Sequence, residues 1–188
     1  MGGSDSDVIA VLTKDHREVE QLFTQIEQLG PADSERRGKL AEQAVTELVR
    51  HSVAEEAYLY PAARRFLPGG DKLADEELAE HAEAEQTMKR LEETEFTDPA
   101  FGTLLQQLMQ EIRHHVQEEE QQLFPQLVDN VDQQELEELG RKVQAMKKVA
   151  PTRPHPSAPD TPPLNKLAAP GAGLIDRIRD ALSGHGKQ

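Results

Sequence analysis

The 188-residue chain contains no cysteine and no tryptophan, and only 4% of its residues are aromatic. Without cysteine there is no disulfide and no thiolate metal ligand, so any metal site must use nitrogen and oxygen donors. The scarcity of aromatic residues predicts a core built mainly from Leu, Val, Ile and Ala. Together with the abundance of Glu, Gln, Lys and Arg, this composition is typical of an all-α protein.

Positive charge and long apolar runs are also scarce. The formal net charge is −14, and residues 150–188 carry five basic and three acidic residues, which leaves −16 on the first 149 residues. Such a body is expected to repel nucleic acid and anionic membranes. No run approaches the roughly 18 apolar residues of a membrane span, and the N-terminus lacks the basic region of a signal peptide. We therefore expect a cytoplasmic protein without a nucleic-acid or membrane partner.

What the sequence does contain is a His followed four residues later by a Glu, at four places. Positions i and i+4 lie on one face of an α-helix, so each pair can act as two ligands to one metal ion. The first and third pairs are 65 residues apart and the second and fourth are 64 apart, which indicates a duplicated two-helix unit. The segment HSVAEEAYLYP (51–61) aligns with HVQEEEQQLFP (115–125) without a gap. The pairs are His16 and Glu20, His51 and Glu55, His81 and Glu85, and His115 and Glu119.

Each pair interrupts a stripe of apolar residues with helical spacing, so the sequence predicts four helices with the pairs on their buried faces. The first helix should end at Gly30-Pro31, and Asp98-Pro99 should open the fourth. The second should begin near Ser34, whose hydroxyl can cap it, be kinked or weakened at Pro61, and end at Pro68-Gly69-Gly70. The third should run from about Asp75 to Glu93. A short fifth helix from Val131 to Lys148 is expected to pack against the end of the bundle.

The C-terminal part differs in character from residues 1–149, which form the predicted bundle domain. Residues 150–173 are rich in proline and predict an extended linker. Residues 174–188 predict a short amphipathic helix, which is marginal alone and would need a partner surface, either on another protein or on its own bundle.

Four helices that each point one His and one Glu inward would bring four imidazoles and up to four carboxylates together. Buried carboxylates cost several kcal/mol each unless they are paired or metal-bound, and a pair of divalent cations, iron, manganese or zinc, would neutralise them. The competing interpretation is that each His is a hydrogen-bonded core residue and that Glu20 and Glu85 are solvated. His114 lies about 100° around the helix from His115 and is expected at the surface. His155 and His185 are not expected to bind metal.

Residues 12–127 resemble a hemerythrin-like domain of the bacterial HHE cation-binding type. The resemblance is carried by DH at 15–16, EH at 80–81 and the two aligned segments above. It implies an up-down four-helix bundle with a non-haem, carboxylate-bridged di-iron centre. It also implies His16, His51, His81 and His115 as terminal ligands and Glu55 and Glu119 as bridging carboxylates. Glu120 is an alternative bridge, but the alignment with Glu55 favours Glu119.

Oxygen-carrying hemerythrins have a histidine where this chain has Glu85. A carboxylate there would stabilise the ferric state and disfavour reversible oxygen carriage, so the resemblance favours peroxide or nitric oxide over O2 as the reacting molecule. The expected role is stress response, sensing, or iron and oxygen handling, with enzymatic turnover left open. Residues one turn further along should line the pocket, and Tyr58 could donate a hydrogen bond or act as a redox group unless it is a core residue. These residues are Phe23, Tyr58, Met88 and Gln122.

Two other functions remain open at this point. The chain could be a metal-binding interaction or cargo protein whose C-terminal peptide docks on a partner. A ferritin-like ferroxidase or iron-storage role fits less well, because those proteins place Glu before His in an E-x-x-H motif and the order here is reversed.

Overall fold

The described part of the chain, residues 6–30, 33–150 and 152–153 of a computed structural model, is helical and contains no strand. The predicted linker lies outside this part except for residues 150, 152 and 153, and the predicted C-terminal helix lies wholly outside it. No helix in the described ranges is long and apolar enough to cross a bilayer. The helices are α1 Val8–Gln28, α2 Ser34–Ala54, α3 Tyr60–Phe66, α4 Gly70–Glu92, α5 Pro99–Glu118, α6 Phe124–Asn130 and α7 Gln133–Val149.

The predicted up-down four-helix bundle is confirmed. Its four rods are α1, α2 continued by α3, α4, and α5 continued by α6. Helix α1 packs on α2 and α4 packs on α5, as expected for two copies of one helical hairpin. The fifth helix, α7, lies along α1 and α2 rather than at the end of the bundle. Its apolar side chains Leu136, Leu139 and Val143 are buried there, so it completes the core of the first hairpin.

The helix boundaries follow local signals, with two corrections to the predicted starts. Asp98 caps α5 by accepting a hydrogen bond from the Ala100 N–H, and Pro99 takes the first helical position, as predicted. Ser34 is the first residue of α2, and no side-chain cap precedes it. Helix α4 begins at Gly70 rather than near Asp75, because Gly69 adopts a positive φ of 73° and reverses the chain within a short turn.

Two π turns, Glu55–Leu59 and Glu119–Leu123, join α2 to α3 and α5 to α6. In each, the N–H five residues after the glutamate bonds back to that glutamate's carbonyl, from Tyr60 in the first and Phe124 in the second. A proline is the second residue after each π turn, at positions 61 and 125. In a regular α-helix, a proline ring would clash with the carbonyl four residues earlier. The helix is therefore widened before Pro61 and continues past it. Such turns occur frequently at functional sites.

Buried apolar residues form two clusters, one toward each end of the bundle. The upper cluster draws on α1, α2, α4 and α5, and includes Phe23, Leu48, Met88 and Leu108. The lower cluster surrounds the π turns and α7, and includes Leu12, Leu59, Leu123 and Leu139. Along three of the four rods the paired histidine lies between residues of the two clusters, and in α2 His51 lies between Val49 and Val53 of the upper cluster and shortly before Ala54 of the lower one. The polar centre is thus enclosed above and below by apolar side chains.

Candidate metal centre

Six of the predicted ligands meet in the interior of the bundle. The four histidines are 4–6% exposed, and the two glutamates at the start of the π turns are fully buried. These side chains form overlapping groups whose donor atoms lie close enough to share a metal ion. The six are His16, His51, Glu55, His81, His115 and Glu119.

We call the group around His16 and His51 the first position. The Nε2 atoms of these two rings lie 3.2 Å apart. Glu55 Oε1 lies 2.9 Å from His51 Nε2, and Glu119 Oε2 lies 3.4 Å from His16 Nε2. Two imidazoles and two carboxylates therefore converge on one point, a donor set that suits iron, manganese or zinc.

The second position is built in the same way around His81 and His115. Their Nε2 atoms are also 3.2 Å apart. The other oxygen of Glu55 lies 3.4 Å from His81 Nε2, and Glu119 Oε2 lies 3.9 Å from His115 Nε2. Each glutamate therefore reaches both positions, which is the arrangement of a carboxylate that bridges two cations.

An outer ring of carboxylates holds the opposite nitrogen of every histidine. Each Nδ1 has a carboxylate oxygen within 3.0–3.4 Å on a neighbouring helix. Such contacts fix the ring orientation and direct Nε2 toward a metal. The acids occupy repeated places in the sequence, either just before a histidine or just after a bridging glutamate. The pairs are His16 with Glu120, His51 with Asp15, His81 with Glu56, and His115 with Glu80.

The surrounding acids shift the ionisation of the buried rings. Considering the side chains alone, burial lowers the pKa of His51, but the negative charge of Glu55, together with the hydrogen bond and charge of Asp15, outweighs it and raises the pKa to about 10. Burial also lowers the pKa of His81 and His115, but the nearby carboxylates outweigh this effect, and the pKa values of both histidines are raised. The centre therefore favours positive charge strongly, as a cation site must.

The hydrogen bonding within the centre shows that these residues fit a metal ion. Both oxygens of Glu55 and Oε2 of Glu119 are buried without a hydrogen-bond partner among the described residues. Glu55 Oε1 is close to the His51 ring, but the approach is not aligned for a hydrogen bond. Buried carboxylate oxygens left this way are costly, and a cation between them and the paired Nε2 atoms removes the cost.

A family model for the hemerythrin HHE cation binding domain matches residues 7–127. This chain belongs to the hemerythrin HHE cation-binding family. An uncharacterized hemerythrin-like protein of Schizosaccharomyces pombe is 31% identical over 170 residues, which cover 90% of this chain and 83% of that protein. The crystal structure of a hemerythrin HHE cation binding domain-containing protein from Mycobacterium kansasii superposes with a TM-score of 0.66 at 26% identity, covering 76% of this chain and 86% of that one.

A DNA nickase of Nostoc is also similar to this HHE chain, at 28% identity over 143 residues. The matched region covers 76% of this chain but only 40% of the nickase. The relation therefore concerns one part of that longer protein.

The i+4 carboxylates of α1 and α4 lie away from the centre of this HHE domain. Glu20 forms an ion pair with Arg113 at 2.7 Å, and Glu85 is half-buried outside the three metal-ligating groups. Glu77, four residues before His81, belongs to one of these groups instead. The reason is that α4 runs antiparallel to α2 and α5. The residues that lie level with Glu55 and Glu119, four positions after their histidines, are therefore found before His81 in α4 and not after it. Of the two bridge candidates, Glu119 reaches both positions, whereas Glu120 bonds His16 Nδ1 and Arg17.

The aromatic side chains at the centre are Tyr60 and Phe124, which the sequence analysis did not identify. The Tyr60 hydroxyl lies 3.0 Å from His81 Nε2 and 3.3 Å from Glu119 Oε1, and the Phe124 ring stacks on His16. The expectation that Tyr58 reaches the centre is not met, because its half-buried ring packs against the lower cluster. Each π turn inserts one residue, so the side chain above a bridging glutamate is five residues on.

The other residues expected along the pocket divide between core and surface. Phe23 and Met88 belong to the upper apolar cluster. Gln122 is exposed, because the π turn Glu119–Leu123 rotates the residues after Glu119 away from the positions they would have in a regular α-helix. His114 lies at the surface as predicted, with its side chain 64% exposed.

Proposed function

We propose that this HHE domain binds two iron ions and reacts with peroxide or nitric oxide, with O2 as a third substrate of lower rank. The proposal rests on one observation. Two buried pairs of imidazoles, His16 with His51 and His81 with His115, lie side by side, and the carboxylates Glu55 and Glu119 reach both pairs. A carboxylate-bridged metal pair inside a helical bundle is an established use of such a fold. The biological role we propose is stress response, sensing, or iron and oxygen handling.

Iron is proposed over manganese and zinc on chemical grounds. All three accept imidazole and carboxylate donors, but zinc has no accessible redox change. Iron, when bound, supplies the electron transfer that reaction with peroxide or a diatomic molecule needs. The chain provides the rest: two positions held at a fixed separation by shared glutamates, and outer carboxylates that keep the histidine rings in place.

Tyr60 is the residue proposed to contact a small molecule at the centre. Its side chain is 1% exposed, and its hydroxyl stands beside His81 and Glu119. A phenol in this place can donate a hydrogen bond to a molecule that binds beside the second position. The apolar clusters on both sides shield the centre from bulk water.

Two further roles carry less support. The activity named for the Nostoc nickase is not proposed here, because the match covers 40% of that protein and the net charge of −16 on residues 1–149 opposes binding to nucleic acid. Docking of the C-terminal peptide on a partner stays a prediction, since residues 154–188 lie outside the described part. The cytoplasmic location also stays a prediction.

The proposal is tested on the full chain expressed with added iron. We expect close to two irons per chain and near-ultraviolet charge-transfer absorption that changes on mixing with peroxide or nitric oxide. The matched variants are His115→Ala, which removes a ligand, and His114→Ala, which removes the exposed neighbour. Loss of iron in the first and not in the second supports the site. Iron-loaded protein that reacts with none of the three molecules would overturn the proposed function, as would a stably folded protein that binds no iron.

A further inference from the structure

The two metal positions have matching ligands but unequal surroundings. At the first position, both outer carboxylates are themselves paired with a cation. Glu120 forms an ion pair with Arg17 at 2.9 Å, and Asp15 forms one with Lys147 at 2.5 Å. Lys147 belongs to α7 and its side chain is only 19% exposed, so its charge is poorly screened. The outer ring of the first position is therefore close to neutral.

At the second position, the charge of the outer carboxylates is not balanced by a neighbouring lysine or arginine among the described residues. Within the described residues, neither Glu56 nor Glu80 forms an ion pair with a lysine or arginine. The nearest basic group is the exposed His114, whose Nε2 lies 3.6 Å from Glu80. The net negative charge around this position is correspondingly larger.

A third carboxylate strengthens the difference. Glu77 is 5% exposed, and its Oε2 lies 2.9 Å from His115 Nδ1 without a hydrogen bond among the described residues. The corresponding residue in the first hairpin, four before His16, is Leu12, which is fully buried in the lower cluster. The duplicated unit thus carries a buried acid in one copy and a buried apolar residue in the other.

The surface next to each position differs in the same direction. A cleft of about 260 Å³ between α4 and α5 reaches His81 and His115, and its polar rim is formed by Glu80, Glu83, Glu111 and His114. The groove of about 560 Å³ beside Asp15 reaches no histidine of the centre, and four of its lining residues are basic against three acidic ones. Its basic residues are Lys14, Arg50, Lys147 and Lys148. A divalent cation is therefore attracted more to the cleft at the second position than to the groove beside Asp15 at the first position.

We propose that the two positions are inequivalent, and that the second position, at His81 and His115, binds its cation first and more tightly. The inference rests on the proposed metal centre but not on the metal being iron or on any reaction. One unit of charge within several Å of a divalent cation changes its affinity strongly even at a high effective dielectric constant, so the two dissociation constants should differ by about tenfold or more.

The test is a calorimetric titration of the chelator-treated full chain with Zn²⁺. We expect two separate binding events of one ion each per chain. Glu77→Gln should weaken the tighter event by about tenfold and leave the weaker one nearly unchanged. The control is Glu76→Gln, which removes the same charge from a neighbouring residue that pairs with Lys72 at the surface and should alter neither event.

Two histidine variants assign the events to their positions. His81→Ala should abolish the tighter event, and His51→Ala should abolish the weaker one. Two equal events, or loss of the tighter event in His51→Ala and not in His81→Ala, would overturn the inference while leaving the proposed di-metal function intact. No binding of Zn²⁺ to the folded chain would overturn both. Two-ion binding followed by no reaction of the iron form would overturn the proposed function alone.

Discussion

Replacement of Glu119 by glutamine should abolish most of the stability that the chain gains from metal. Glu119 Oε2 lies within 3.9 Å of a histidine in each position, so under the proposed function we expect it to be a ligand of both cations. At a free metal concentration of 100 times the weaker dissociation constant, each bound ion stabilises the folded state by at least about 2.7 kcal/mol. Two ions then raise the free energy of unfolding by at least about 5 kcal/mol, which corresponds to at least about 10–20 °C in melting temperature for a chain of this size.

Loss of a shared carboxylate should weaken each position by at least about 100-fold, since even residues that only orient ligands contribute 10- to 100-fold. At the same metal concentration the ion at the weaker position would then contribute about 0.4 kcal/mol and the ion at a tenfold tighter position about 1.4 kcal/mol, so the metal-dependent shift would fall to a few degrees. Scanning calorimetry with metal and with chelator, on each variant, measures this difference directly. Subtraction of the chelated value removes any effect of the substitution on the fold itself.

Glu118→Gln is the control, because it changes the same charge one residue earlier, at a half-buried position outside the metal-ligating groups. It should keep the full metal-dependent shift. A shift in Glu119→Gln as large as in the unmodified chain would refute the role of Glu119 as a ligand. A shift reduced by half would show that Glu119 serves one position only.

Three further outcomes are expected from single substitutions. Tyr60→Phe should leave metal content unchanged but slow the reaction with peroxide or nitric oxide in stopped-flow absorbance, whereas Tyr58→Phe should alter neither. Glu56→Gln should weaken metal binding by about 10- to 100-fold in a competition titration with a chelator, because it releases the Nδ1 contact that orients His81. Gly140→Ala should lower the free energy of unfolding by about 1–3 kcal/mol in urea, since its Cβ would overlap the backbone just before α1. Gly102→Ala on α5, whose Cβ would make only an ordinary contact with the Arg37 side chain at 3.9 Å, should instead be neutral or stabilising by up to about 1 kcal/mol.

The periodicity of the sequence was enough to predict the bundle and to bring six residues toward one place. His16, His51, His81 and His115 each stand in an apolar stripe, and that position alone requires them to face the interior. The alignment of the two segments at 51–61 and 115–125 identified the equivalent glutamates. These inferences depend only on the 3.6-residue repeat, which holds from the start of each helix to the histidine.

The same repeat fails beyond the bridging glutamates. A regular α-helix places Tyr58 and Leu59 above Glu55, but the π turn advances the register by one residue, so Tyr60 takes the place of Leu59 and reaches the centre. The local signal in the sequence is the proline at position 61. It predicts that the helix is kinked or weakened there, but not that the irregularity is a π turn. Glu77 was missed for a different reason, because only the residue four positions after each histidine was considered. In an antiparallel bundle the residue level with Glu55 precedes His81, so the predicted topology already implies a place for an acid four residues before that histidine.

The functional unit of this chain extends beyond the part that the family model matches. The match ends at residue 127, before α7 begins at Gln133. Yet α7 buries Leu136, Leu139 and Val143 against the first hairpin, and its Lys147 neutralises the carboxylate that holds His51. The second hairpin has no such helix against it among the described residues, and neither Glu56 nor Glu80, the outer carboxylates of the second position, is paired with a lysine or arginine there. The added helix therefore breaks the symmetry that the duplication created, and it does so by electrostatics rather than by changing any ligand.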